Sequence, residues 1–433
     1  MEKALAIFRV PELRQKLWVT LGLLFIYRLG FQIPLPGVDL SQIREAAGKA
    51  DKSALFGIMN AFTGAGIGDA VLFSLGVMPY ISASIIFSLM TKVLPAFEAL
   101  AKEGAAGQKK INQMTRLATV PICFLQGFFV LKGVIFNPSF GLVPSGGGFF
   151  YGLTIILALT AGTMFIMWLG EQITENGLGN GISLIIMSGI VARLPVTLSK
   201  AFSMRENAQT MAVTLGVMWL IVVVAVVYLT RGQRRIPIQQ AKLTRGRKVM
   251  GGQRHYLPLR VNQAGVMPII FASALFIVPT VLASLPGMTW LGQYFNQAGF
   301  LYVAVYCGLI IFFAFMWTRL MFQPEDIANN LKEHGSFIPG IRPGKATADY
   351  LSFVLDRITL AGAVCLAVIA ILPTILVGQM RVDPMVAYFL GGTSILIVVG
   401  VALDMVDRLN AQLMMRNYDG FMKGGGAGWT RSR

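Results

Sequence analysis

Two stretches of this chain are nearly the same: Gly76-Val77-Met78-Pro79-Tyr80-Ile81-Ser82-Ala83-Ser84 and Gly265-Val266-Met267-Pro268-Ile269-Ile270-Phe271-Ala272-Ser273 agree at seven of nine positions. Glycine, methionine and proline match in register, which weakens an explanation by chance between apolar segments. Each stretch belongs to a long apolar run. Ten such runs of about 20 residues, the length that crosses about 30 Å of hydrocarbon, lie near 17–36, 70–91, 117–136, 152–170, 181–198, 210–230, 263–285, 299–321, 358–377 and 384–404. The matching stretches sit in the second and seventh runs, five apart, so they cross in opposite directions. That is an inverted-topology repeat, in which the transport path lies near the midplane between two halves.

Composition excludes an ordinary water-soluble fold. The chain has 433 residues, 55% of them hydrophobic and 13% charged, against about 25% charged in soluble domains. Mean hydropathy is +0.66. The expectation is an all-α polytopic membrane protein of ten transmembrane helices in two inverted halves. Residues 1–200 hold spans one to five and residues 201–433 hold spans six to ten. The net charge of +17 sits mostly outside the spans. With both termini inside, the inner segments carry 27 Lys and Arg and the outer segments 8, so the positive-inside rule places both ends in the cytoplasm. The basic N-terminus leads into an apolar run without a small-residue cleavage site, which reads as a retained span.

Ionisable residues are nearly absent from the middles of the spans. Glu171 and Glu175, and Asp404 and Asp407, fall at inner helix ends, where solvation explains them. Carriers of charged solutes keep such residues inside as binding sites or proton relays. Branched aliphatic side chains predominate instead, and a ring of them holds back water and ions by dewetting while giving no passenger a binding site. Cys123, Cys307 and Cys365 lie far apart within apolar runs and read as packing thiols. His255 and His334 stand in loops without a ligand cluster, and Gly177-Leu178-Gly179-Asn180-Gly181 lacks the lysine and spacing of a phosphate loop, reading as a tight turn. No catalytic constellation, metal site or cofactor site is expected. A small-solute secondary transporter and an intramembrane enzyme are the alternatives: one needs a polar midplane site, the other a catalytic cluster facing a cavity.

Two loops carry the charge. Residues 231–262 hold nine Lys and Arg and no acidic residue. Arg235-Ile236-Pro237-Ile238 and Tyr256-Leu257-Pro258-Leu259 read as extended flanks of a projecting hairpin whose tip is the Lys242–Lys248 cluster. Such a density draws phosphate backbones, acidic protein surfaces or anionic lipid. In the other loop, Phe337-Ile338-Pro339-Gly340-Ile341-Arg342-Pro343-Gly344 makes a rigid turn that presents Arg342. Ahead of the second span, Leu55–Asp69 is apolar but short and glycine-rich. It reads equally as a re-entrant plugging segment or an interfacial loop.

Six strings in order resemble the SecY family of protein-conducting channel subunits: Arg28-Leu29-Gly30 with Ile33-Pro34-Leu35-Pro36-Gly37-Val38-Asp39; Met78 to Ile85; Gly177 to Ser183; Asn262 with Ala264 to Pro268; Gly340 to Gly344; and Gly391 to Ser394. The resemblance covers almost the whole chain. It implies an hourglass pore in the bacterial plasma (inner) membrane that translocates unfolded secretory polypeptides and releases membrane helices sideways. It places the pore ring at Val77, Ile81, Ile186, Ile190, Ile270 and Ile397. The plug falls on Asn60, Ala61, Phe62, Thr63, Gly64, Ala65, Gly66, Ile67 and Gly68. Ser82, Gln126 and Val278 line a lateral gate that admits signal sequences. Arg245, Arg247, Lys248 and Arg342 dock the SecA motor or the ribosome, and SecE and SecG are the implied companion subunits, with membrane lipids around the gate.

Overall fold

The computed structural model describes residues 11–37, 71–131, 148–203, 208–240, 243–245, 248–250, 254–273, 275, 299–379 and 392–424. They fall into two compact units, Met1–Lys200 with Ile397–Arg433, and Ala201–Leu396. In the first unit run helices α1 (Pro11–Gly30), α2 (Met78–Val93), α3 (Pro95–Lys102), α4 (Ala105–Val130), α5 (Phe149–Asn176) and α6 (Gly181–Ser203). The chain continues through α7 (Ala208–Arg231), strands β1 (Gln233–Gln240), β2 (Leu243–Arg245), β3 (Lys248–Met250) and β4 (Arg254–Arg260), and α8 (residues 267–273). Then follow α9 (Phe300–Met321), α10 (Pro324–Glu333), β5 (Ser336–Phe337), α11 (Lys345–Gln379) and α12 (Gly392–Gly424).

Among the described residues, Phe149–Asn176, Phe300–Glu333 and Lys345–Leu372 are long and apolar enough to cross a membrane. Met78–Thr91 with Pro95–Lys102, bent by 94°, makes a fourth if taken as one span. The bend falls at Leu94, whose extended backbone precedes Pro95. The second run begins its helix only at Met78, because residues 72–77 form a turn, and the first ends at Gly30, ahead of Pro34 and Pro36. Instead of continuing the helix, the segment after Gly30 pairs with this turn, with a bridge between Pro34 and Val71 and Leu72 N donating to Ile33 O at 3.0 Å.

The nine-residue repeat is also a structural one. In both copies a turn precedes the helix, and its glycine takes the left-handed conformation, φ 55° at Gly76 and φ 63° at Gly265. Side chains with a Cβ rarely adopt that region. The first turn is held by Ser74, whose hydroxyl donates to Val71 O at 2.7 Å and accepts from Val71 N at 3.0 Å. In the second, Asn262 Nδ2 donates to Gly265 O at 3.0 Å. Four residues before each turn glycine, a carbonyl lies against a helical glycine: Leu72 O against Gly162 of α5, and Val261 O against Gly362 of α11. A Cβ at either position would strike that carbonyl oxygen.

Alanine at Gly162 or Gly362 is therefore expected to cost about 1–3 kcal/mol by overpacking, lowering the thermal midpoint of the purified protein in detergent. Alanine at Gly216 or Gly308, where a Cβ meets nothing within 4 Å, is the control. Equal midpoints for the two pairs would refute the close-approach account.

Candidate functional site: buried aliphatic positions and a basic platform

All six proposed ring positions are buried, from 1% exposed at Ile397 to 7% at Ile81. Val77 and Ile81 are four residues apart, with Ile81 N donating to Val77 O at 3.0 Å, and Ile186 and Ile190 have the same spacing in α6. That spacing places each pair on one helix face. Val77, Ile81, Ile186, Ile190 and Ile397 belong to the first unit and Ile270 to the second. Of the gate positions, Ser82 and Gln126 come together between α2 and α4, Gln126 Nε2 donating to Ser82 Oγ at 3.5 Å while Ser82 donates to Met78 O at 3.1 Å. Val278 and the plug positions Asn60–Gly68 lie outside the described residues.

The turn between α5 and α6 is satisfied from both sides. Leu178 N donates to Thr20 Oγ1 at 3.0 Å and Gly181 N to Thr174 Oγ1 at 2.9 Å. Asn180 Oδ1 caps α6, accepting from Ile182 N and Ser183 N at 3.1 and 3.3 Å. Beneath it, Leu13, Leu178 and Leu409 form a buried cluster joining α1, the turn and α12. Two sequence expectations change here. Glu171 is not merely solvated: its carboxylate pairs with Arg116 of α4, joining that helix to α5. Cys123 is buried as expected, but Cys365 is exposed on α11 and is not packed inside.

Residues 231–262 do form a hairpin, and its register pairs Arg235 with Pro258, Ile236 with Leu257, Pro237 with Tyr256 and Ile238 with His255. Nearer the tip Arg245 is the register partner of Lys248, and Arg247 lies outside the described residues. The unforeseen feature is that β5, from the other charged loop, joins the same sheet in the order β4-β1-β5, with Gln239 opposite Phe337 and Gln240 opposite Ser336. Ile236, Leu259 and Ile338 then share a core with Leu351, Val354 and Leu355 of α11. The alternation of buried and exposed residues in β1 carried that signal, but its partner lies about 100 residues away. The Arg342 turn leaves this platform with Gly340 and Gly344 at φ 84° and 104°, and Thr347 Oγ1 donates to Arg342 O at 2.8 Å. Arg342 is exposed, and no ion pair involves it among the described residues.

Solved structures with this fold are protein-conducting channels. "The structure of a protein conducting channel" matches with a TM-score of 0.64 at 18% identity over 92% of each chain. Sec61 in the canine ribosome–channel complex matches at 0.61 and 16%, again over 92% of each. The SecY family model matches residues 71–406. The protein translocase subunits SecY of Streptomyces galbus and Mycobacterium bovis are 43% and 40% identical over 96% of this chain and 98% of their own. The chain belongs to the SecY family. The comparisons give no support to the small-solute transporter alternative.

Trimming the platform core tests its unity. Leu351→Ala should cost about 2–5 kcal/mol and speed amide exchange in both Gln233–Gln240 and Ser336–Phe337. Faster exchange in one strand only would mean that the two loops fold independently.

Proposed function

We propose that this multi-pass membrane protein is the pore-forming subunit of a bacterial protein translocase. It conducts unfolded secretory polypeptides across the inner membrane and releases apolar helices sideways into lipid. The observation that carries this reading is the near-complete match to protein translocase subunits, 42% identical over 96% of the chain in the Streptomyces scabiei relative. The fold, shared with protein-conducting channels, supports it.

In this reading the two halves, 1–200 and 201–433, enclose ten spans with both termini cytoplasmic, as the 27-to-8 charge bias favours. Val77, Ile81, Ile186, Ile190, Ile270 and Ile397 form the constriction, and their burial and aliphatic chemistry suit a seal that excludes water and ions without gripping a passenger. Asn60–Gly68 plugs the closed pore. A signal sequence enters between spans two and three and spans seven and eight, past Ser82, Gln126 and Val278, and the ring then closes around the extended chain. The pore itself is passive and carries out no catalysis, so the drive comes from a partner.

The basic platform receives that partner. Arg245, Arg247, Lys248 and Arg342 face acidic protein surface or RNA phosphate, which fits the SecA motor and the ribosome. One structural neighbour is a yeast Ssh1 complex bound to the 80S ribosome. SecE and SecG complete the channel, with anionic lipid meeting the remaining cations.

Polar substitutions test the ring in reconstituted vesicles and in cells. Ile81→Asn and Ile397→Asn should raise resting ion conductance and permit export of a reporter with a defective signal sequence. Wild-type values of both would remove the ring assignment. Arg342→Glu should strongly reduce motor-driven export while the channel still accumulates in the membrane, and normal export would remove its docking role.

A further inference from the structure

In the second unit, one buried polar contact joins α8 to α9. The Ser273 hydroxyl and the Tyr306 phenol lie 2.8 Å apart, and their residues are 5% and 4% exposed. Around them the contacts are aromatic. Phe271 meets Phe313 and Trp317 edge-on, with ring centroids at 5.7 and 5.1 Å, and Tyr302 stacks on Tyr306 at 5.8 Å. The Phe271 contacts hold α8 on α9 over a range of rotations and slides, while the tyrosine stack lies within α9. A hydrogen bond weakens steeply once its geometry is lost, so this bond selects one register of α8 on α9. A tyrosine hydroxyl also stands too far from its own backbone for the i−4 back-bonding open to serine and threonine. The Tyr306 hydroxyl therefore reaches across to another element.

Ile270 lies three residues before Ser273, on the adjacent turn of α8. A rotation that broke the Ser273–Tyr306 bond would carry Ile270 with it. In the first unit the polar contact between α2 and α4 is looser, with Gln126 Nε2 at 3.5 Å from Ser82 Oγ. Of these two polar contacts, the one between α8 and α9 is the shorter.

We propose that Ser273 and Tyr306 are positioning residues of the channel: their hydrogen bond ties α8 to α9, so that the two helices shift as one and Ile270 keeps its place in the resting seal. This rests on the pore reading above, and Ile270→Asn tests that reading separately. The full chain is purified with its companion subunits and reconstituted into vesicles as wild type, Ser273→Ala, Tyr306→Phe, the double variant, Ser273→Thr and Ile270→Asn. Resting ion conductance is measured at equal amounts of folded complex, and export of a defective-signal reporter is followed in cells.

Hydrogen bonds between membrane helices bias an equilibrium by about 3- to 15-fold. Ser273→Ala and Tyr306→Phe should each raise resting conductance by about that factor, with a parallel gain in defective-signal export. The double variant should match the single ones, and Ser273→Thr, which keeps the hydroxyl, should stay near wild type. The proposal is overturned by single variants at wild-type conductance, by effects that multiply in the double variant, or by a Ser273→Thr leak as large as that of Ser273→Ala. If Ile270→Asn leaks while the two hydroxyl variants do not, the tie fails and the ring stands. If Ile270→Asn is silent, the ring assignment falls and the positioning role with it.

Discussion

A peptide group in hydrocarbon has no water to bond, so each break in a helix must be satisfied from within the protein. The two turns ahead of α2 and α8 meet that constraint with the same backbone device. A glycine in the left-handed region reverses the chain, a polar side chain, Ser74 or Asn262, bonds the turn's backbone, and a carbonyl four residues upstream settles on a glycine of a later helix. The receiving glycines, Gly162 and Gly362, lie in the fourth and ninth apolar runs of the sequence, again five apart. The repeat thus extends beyond the shared nine residues to the helix that each turn leans on.

The same constraint shapes what the helices carry. Buried hydroxyls are satisfied locally, as where Thr115 and Thr119 donate to carbonyls one turn back, or across elements, as where Thr20 accepts from Leu178 N. Two ion pairs stand at the ends of apolar runs, Arg116 with Glu171 and Asp404 with Arg408. The positions that the resemblance assigns to a constriction hold only valine and isoleucine. A surface of that chemistry excludes ions by the cost of dehydrating them and offers an unfolded chain nothing to bind. On the proposed pore reading, tolerance of varied polypeptides and restriction of small ions would follow from the same side chains.

Within the second unit the basic platform and the turn ahead of α8 both pack on α11. The two charged loops share a sheet and a core with the start of α11, at Leu351, Val354 and Leu355. Further along α11, Gly362 bears the Val261 carbonyl, and Val261 directly follows β4. Six residues later α8 begins with Met267 and soon reaches Ile270. The hairpin and the Arg342 loop therefore belong to the same packed unit as the turn that launches α8.

Much of this was legible in the sequence. Apolar run length, the charge bias and the match between residues 76–84 and 265–273 gave the membrane class and the paired halves, because hydrocarbon thickness and helix periodicity act on local sequence. The two extended flanks of the hairpin were legible as well, while their register came from the structure. Helix boundaries were less legible: hydropathy registers greasiness, whereas Gly76, Pro34 and Leu94 decide where the backbone can stay helical. What only the tertiary structure decided are the long-range pairings: β5 on β1, Glu171 with Arg116, Ser273 with Tyr306, and the turn carbonyls on Gly162 and Gly362. In each, the partners are separated by more than 30 residues and either residue alone suits several surroundings, so only packing selects the pair. Sequence determined that this chain lives in a membrane as two related halves with a greasy, uncharged interior. The structure decided which backbone and hydroxyl groups find each other there, because that choice depends on the approach of helices far apart in the chain.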